Sequence, residues 1–313
     1  MTATDPTPAT GPTRRGVLTT SEGTHRGAFT PADWGLFAAI GLIWGSSFLF
    51  IAIGLEAFAP GLITWLRVLF GAGALWLMPA ARLAVDRADR PRLVAVSFLW
   101  VAIPFTLFPL AEQHITSGLT GLLNGTLPIA VAAIGSLMRR RLPGRRQLVG
   151  LAIGFAGIAL IALPAAGEGS SEAIGVLMVL AAVACYGVAA NIAGPLTERY
   201  GSIPVMARMV GLAAIWTTPF GLWSIPSSSF AWDALAAVAA LGVLGTGVAF
   251  VFMGTLVARV GPTRAAFAVY LVPVVALILG AVFRDEAIVI WSVIGVALVI
   301  CGAILASRAE VRR

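Results

Sequence analysis

The chain has 313 residues, of which 59% are hydrophobic and only 11% charged, with a formal net charge of +7 and a mean hydropathy of +0.94. A soluble domain covers itself with roughly a quarter of charged residues, so this composition excludes an ordinary water-soluble globule and points to lipid as the surrounding medium. The high pI does not indicate a nucleic-acid partner, because the basic residues, all arginine, sit in short gaps between apolar runs rather than on a water-facing surface.

Residues 1–33, rich in Thr, Pro and Gly, read as a disordered cytoplasmic tail. No apolar stretch before Trp34 could serve as the core of a cleavable signal peptide. From Trp34 onward the chain runs in apolar segments of the length a helix needs to cross a bilayer. Ten are predicted: 34–54, 60–79, 93–111, 117–138, 147–164, 173–196, 203–223, 232–256, 263–283 and 288–306, followed by a cytoplasmic tail over 307–313. Only Glu112 to Thr116 separate the third from the fourth. Trp34, Trp76, Trp223, Trp232 and Trp291 fall near segment ends, where aromatic belts form. Cys185 and Cys301 lie inside apolar runs and read as small buried hydrophobes, not as a disulfide.

Arginine accumulates in cytoplasmic loops. With the N-terminus inside, the cytoplasmic stretches carry 18 of the 21 basic residues, and the outer loops carry one, Arg284. The dense run "LMRRRLPGRR" at 137–146 becomes the cytoplasmic turn between the fourth and fifth segments. Both termini are then cytoplasmic. The remaining two arginines, Arg67 and Arg208, lie within segments.

The two halves resemble each other. Pro128 pairs with Pro273, Gly150 with Gly295 and Gly157 with Gly302, all at a shift of 145. Trp44-Gly45 matches Tyr186-Gly187, Arg67 matches Arg208, and Pro79 matches Pro219. Repeats therefore span 34–164 and 173–306. Five segments is an odd number, so the second half enters the membrane upside down relative to the first. The predicted fold is an all-α integral membrane protein of ten transmembrane helices in two inverted five-helix repeats. Such repeats enclose a substrate near the midplane and move it by alternating access.

Several polar residues in this apolar setting are candidates for a site. Arg67 sits roughly 10 Å deep at 1.5 Å per residue. It could hold a substrate carboxylate, bond neighbouring carbonyls or snorkel. Arg208 lies closer to its helix end, where snorkelling is easier. Trp44 and Tyr186 could flank an apolar substrate or simply pack, and Ser46, Ser47 and Thr64 could add polar contacts. Asn124 and Asn191 carry amides that need a partner in lipid, either another helix or a substrate. Glu112 and His114 could relay protons or belong to a short outer loop. No metal site or cofactor motif is present in the sequence, and no Walker-type loop suggests ATP drive.

"GLIWGSSF", the arginine of "WLRVLFGAG", "AEQHITSGLTGLLNGTLPI" and "VYLVPVVALILGAVFRDEAI" resemble the drug/metabolite transporter superfamily, in its EamA-type ten-helix branch. Members of that family carry an acid 13 residues after the helix 4 or helix 9 proline. Glu286 keeps it in the second half, and Arg141 stands there in the first. The resemblance implies a secondary transporter in the cytoplasmic membrane for small organic metabolites such as amino acids, or drugs, with export as the expected direction. No carboxylate sits near the middle of any segment, so the residues fit a facilitator as well as an antiporter that uses protons as coupling ion. A lipid flippase or lipid-modifying enzyme is the alternative. An enzyme would need a cluster of acids or histidines at one membrane face, and His114 stands alone there.

Overall fold

Thr30 opens the first helix. Its hydroxyl accepts a hydrogen bond from the Asp33 N–H (3.3 Å), and the Asp33 carboxylate accepts one from the Thr30 N–H (2.9 Å). Each thus satisfies a donor that a helix start leaves unpaired. The computed structural model describes residues 29–140, 145–168 and 170–307, and every regular element among them is helical. In lipid a helix satisfies its own backbone polar groups, which is why an apolar chain of this kind adopts no other structure.

In chain order the helices are α1 (Pro31–Leu55), α2 (Pro60–Trp76), α3 (Arg87–Ala111), α4 (Ser117–Met138), α5 (Arg145–Glu168), α6 (Ser170–Tyr200), α7 (Ser202–Ser227), α8 (Trp232–Val260), α9 (Ala268–Arg284) and α10 (Ile290–Ser307). Of these, α1, α3, α4, α6, α7 and α8 are long and apolar enough to cross a membrane by length and composition. The helices α2 and α9, and the apolar parts of α5 and α10, are shorter, at 10–17 residues. Each lies on one of the predicted segments.

The sequence placed the start of the third segment too late. Asp89 and Arg92 are buried and paired at 3.0 Å, so the charged stretch from Arg87 joins α3 instead of forming a loop. The predicted tail also ends earlier, because Thr30 to Asp33 belong to the start of α1. The rest of that tail (1–28), Arg141 with the neighbouring 142–144, and 308–313 lie outside the described residues. The five tryptophans assigned to interfacial belts are all exposed. Cys185 is half-buried and Cys301 exposed. Neither is the buried hydrophobe expected, since a helix face turned to lipid loses nothing by exposing a small apolar group.

The halves meet through matched pairs. A Cβ on Gly157 would stand 2.6 Å from the Gly295 carbonyl oxygen, and one on Gly302 would stand 2.5 Å from the Gly150 carbonyl oxygen. Only glycine lets α5 and α10 approach this closely. Gly45 of α1 packs against Val275 of α9, and Gly187 of α6 packs against Ala130 of α4. Phe105 and Phe250, themselves 145 residues apart, touch with ring centroids 5.7 Å apart.

Polar contacts close both ends of the bundle. At the end where α1 starts, Asp33 is fully buried and accepts from Arg259 Nε of α8 at 2.5 Å. Asp89 there also accepts from Arg199 (2.9 Å) and from the Tyr200 hydroxyl (2.7 Å). At the opposite end Arg284 pairs with Glu56. Asp285 adopts a left-handed conformation (φ 53°), one that aspartate tolerates better than most residues. This turn brings Glu286 to the start of α4. There its carboxylate accepts from the Ser117 N–H (3.1 Å), the Ser117 hydroxyl (2.5 Å) and the Gly118 N–H (2.7 Å). An acid at a helix N-terminus is favoured by the helix dipole.

Candidate functional site

A cavity of about 40 Å³ lies where α1, α2, α3, α4, α6 and α8 converge. It has room for a few water molecules at most. Its wall is mostly apolar, with Phe48, Trp100, Phe105, Phe108 and Phe250 contributing rings. Five candidates from the sequence line it: Trp44, Ser47, Arg67, Asn124 and Tyr186. No carboxylate does, among the described residues.

Arg67 is buried in α2. A charge at this depth needs compensation, and two features supply it. The guanidinium carbon lies 3.5 Å from the centroid of the Phe105 ring, a cation–π geometry. Arg67 Nε donates to the Thr246 hydroxyl at 3.1 Å. Its two terminal nitrogens make no hydrogen bond among the described residues. The guanidinium is therefore held from one side and offers its fork to the cavity.

The holding element is a π-helical stretch of α8, Leu241–Val248. A π turn shifts the backbone hydrogen-bond register by one residue. Here the Gly245 carbonyl accepts from Trp44 Nε1 at 2.8 Å, and the Thr246 hydroxyl reaches back to the Leu241 carbonyl at 3.5 Å. Trp44 and Arg67 are thus anchored on adjacent residues of one turn. A second π stretch, Ser97–Ala102, sits at the matching place in α3.

Asn124 ends the first part of α4, just before the turn at Gly125 and Thr126 interrupts that helix. Its Oδ1 is buried with no hydrogen-bond partner. The Tyr186 ring lies 5.9 Å from Phe108, and its hydroxyl makes no hydrogen bond among the described residues. Ser47 bonds the Ile43 carbonyl one turn back.

The other candidates lie elsewhere. Ser46 is occupied with the Leu42 carbonyl (2.6 Å). The Thr64 hydroxyl, fully buried, bridges the Pro60 and Phe105 carbonyls and so ties α2 to α3. Asn191 joins α6 to α4 by donating to the Val131 carbonyl at 3.1 Å and the Gly187 carbonyl at 2.9 Å. Arg208 donates to the carbonyls of Ala81 (2.9 Å) and Pro204 (3.0 Å). Each spends its donors on backbone oxygens, the cheapest partners available within a helix bundle, and the Asn191 Oδ1 is left buried without a partner, as that of Asn124 is.

Glu112 and His114 line a second cavity of about 490 Å³ at the Glu286 end, together with Arg284 and Glu172. They do not bond each other. His114 Nδ1 pairs with the Ser171 hydroxyl at 2.7 Å, and both carboxyl oxygens of Glu112 are buried without a partner.

Sequence reasoning missed Thr246, Phe105 and Phe250. Phe250, Met253 and Val257 form a helical stripe on α8 that periodicity could have found. Trp100, Phe105 and Phe108 on α3 break the 3.6-residue period because the π stretch inserts a residue.

A family model described as the EamA-like transporter family matches residues 33–163 and again 173–308. The uncharacterized transporter YoaV of Bacillus subtilis (strain 168) is 26% identical over 84% of this chain and 92% of its own length. A protein of Streptantibioticus cattleyicolor named "Probable terminal-alkyne amino-acid exporter" is 27% identical over 90% of this chain and 95% of its own. The uncharacterized inner membrane transporter YedA of Escherichia coli (strain K12) is 28% identical over 84% and 87%. A crystal structure superposes with a TM-score of 0.67 over 90% of this chain and 99% of that one at 21% identity, which shows a common fold.

Proposed function

The chain belongs to the EamA-like transporter family and is a membrane transporter, and from that premise we propose that it exports small zwitterionic metabolites with an apolar side group, amino acids or close relatives. The carrying observation is the polar content of the central cavity. It includes a guanidinium fork at Arg67 and an unpaired amide oxygen at Asn124, set among aromatic rings. The fork matches a carboxylate. The amide oxygen accepts from an ammonium, and the rings take an apolar side group. Ser47, Trp44 and Tyr186 complete the contact surface.

Movement follows from two inverted five-helix halves that alternate between openings to either side. The reciprocal contacts support this. Gly157 meets Gly295 while Gly150 meets Gly302, and Phe105 meets its own counterpart, Phe250. Pairs of this kind arise where two like halves face each other across a two-fold axis. An odd number of spans in each half puts that axis in the membrane plane. The arginine distribution supports cytoplasmic termini, and the Glu286 end then faces outward. The likeness to the Streptantibioticus cattleyicolor protein supports amino-acid cargo and outward direction.

Purified protein screened for thermal stabilisation tests the cargo. Apolar amino acids are expected to stabilise the wild type, and Arg67→Ala and Trp44→Ala are expected to abolish the shift. Stabilisation by lipids or organic cations alone, with amino acids inert, would remove the zwitterion assignment.

A further inference from the structure

The two ends of the central cavity are built differently. Towards Glu286 the wall holds Phe48 of α1 and Phe108 of α3. Towards the start of α1 it holds Ala190 of α6 and Met253 and Val257 of α8. Neighbouring residues fix these positions. Phe108 stands four residues before Glu112, which lines the cavity at the Glu286 end. Val257 stands two residues before Arg259, the partner of Asp33 at the start of α1.

The two sets are matched in the sequence. Phe48 and Ala190 are 142 residues apart, the shift that pairs Trp44 with Tyr186. Phe108 and Met253 are 145 apart, the shift that pairs Phe105 with Phe250. Like halves facing each other would build like ends. Here one end carries two rings, and the other carries a methyl group and a thioether.

That difference decides where room is made for cargo. A cavity that takes up benzene measures about 150 Å³, whereas this one has about 40 Å³. An apolar side group therefore enters only where the wall yields. The Glu286 end is braced. Phe48 and Phe108 meet edge to face with centroids 5.5 Å apart, and Phe108 also meets the Tyr186 ring at 5.9 Å. A Cβ on Gly121 would stand 3.1 Å from Phe48, so α4 backs that ring closely. At the other end Met253 is an unbranched chain, and a thioether of this kind repacks around different shapes. Ala190 beside it takes up little space.

We infer that Ala190, Met253 and Val257 form the slot for the cargo's side group, with Ala190 setting its width and Met253 its length. The inference rests on the zwitterion reading above. With the carboxylate at Arg67 and the ammonium at Asn124, the side group turns to the end that yields. The slot selects amino acids with long apolar side groups, such as leucine and phenylalanine. Short side groups leave it unfilled. Side groups with amides or charges bury polar atoms where this lining offers no polar side chain among the described residues.

Isothermal binding of L-phenylalanine and L-alanine to the purified full chain tests the slot, read as the ratio of the two affinities. The wild type is expected to favour phenylalanine by about ten-fold or more, the scale of burying one aromatic side chain. Ala190→Val narrows the slot and is expected to lower the ratio about ten-fold, the scale of overpacking. Met253→Ala lengthens it and is expected to raise the ratio several-fold. Thermal melts confirm that each variant is folded, and if Ala190→Val is not, Met253→Ala decides against Phe108→Ala. A ratio that stays put in the folded variants, or that Phe108→Ala raises as far as Met253→Ala does, overturns the slot while leaving the zwitterion reading intact. A wild type that binds neither amino acid overturns that reading and the slot with it.

Discussion

Arg67 and Arg208 occupy matching places in the two halves, yet one faces the central cavity and the other does not. Two differences between the stretches that face them matter most. The π stretch of α8 presents Gly245 and Thr246 to Arg67, and at the same shift of 145 the π stretch of α3 has Trp100 and Val101. Thr246 supplies a hydroxyl where Val101 supplies methyl groups. Gly245 leaves room where Trp100 fills it. Without a polar anchor on α3, Arg208 turns to the Ala81 and Pro204 carbonyls. Each half carries an arginine, and the stretch it faces decides what that arginine does.

Removing each arginine is the strongest way to break the comparison. Arg67→Ala is expected to weaken amino-acid binding by about 100-fold or more, the scale of losing one side of a buried charge pair. Arg208→Ala is expected to leave binding within about two-fold. Its cost falls on stability instead, at roughly 1–3 kcal/mol for the lost charged hydrogen bonds to carbonyls. Isothermal binding and thermal melts on both variants separate the two roles. Equal losses of binding would mean that the halves contribute alike.

A smaller change sharpens the cause. Thr246→Val converts the α8 anchor to the chemistry of Val101 at unchanged shape. Arg67 keeps its charge and its ring but loses the bond at Nε. An affinity loss of about ten-fold is expected, from roughly 1.5 kcal/mol for one hydrogen bond to a charged group. Thr246→Ser should restore it, since the hydroxyl alone is needed. A valine variant with wild-type affinity would mean that the Phe105 ring positions the guanidinium unaided.

Much of the fold is legible in the sequence because lipid imposes a simple rule: each segment is apolar for the length of a span. Six of the predicted segments lie on helices long and apolar enough to span, α1, α3, α4, α6, α7 and α8, and α4 keeps its predicted limits of Ser117 and Met138. The misjudged start of α3 reflects tertiary context. Asp89 and Arg92 look like loop residues until α6 supplies Arg199 and Tyr200 to receive them. The site is legible only in part. Arg67, Trp44 and Asn124 announce themselves as polar or bulky groups inside apolar runs. Thr246 does not, because a threonine in a membrane helix ordinarily bonds its own preceding turn, as Thr120, Thr197 and Thr255 do here. Its role depends on a π turn, and no residue pattern in "LGVLGTGV" marks that turn. Ser46 and Thr64 carry the same sequence signal as the cavity residues and spend it on backbone carbonyls, as Asn191 does with its Nδ2.

The smallest expected effect comes from the other matched pair, Trp44 and Tyr186. Both line the cavity, but only Trp44 has a hydrogen-bonded polar atom, its Nε1 on the Gly245 carbonyl. Trp44→Phe removes that donor from a carbonyl whose helical register is already shifted by the π turn. The expected loss is about 1 kcal/mol of stability, with a binding loss of a few-fold as the ring shrinks. Tyr186→Phe removes a hydroxyl with no partner among the described residues, so stability should stay within about 0.5 kcal/mol, the range of a substitution that breaks no named contact. The order of the two melts carries the argument. If Tyr186→Phe costs as much as Trp44→Phe, the π turn is not a special anchor for the first half, and the asymmetry between the halves must come from the arginines alone.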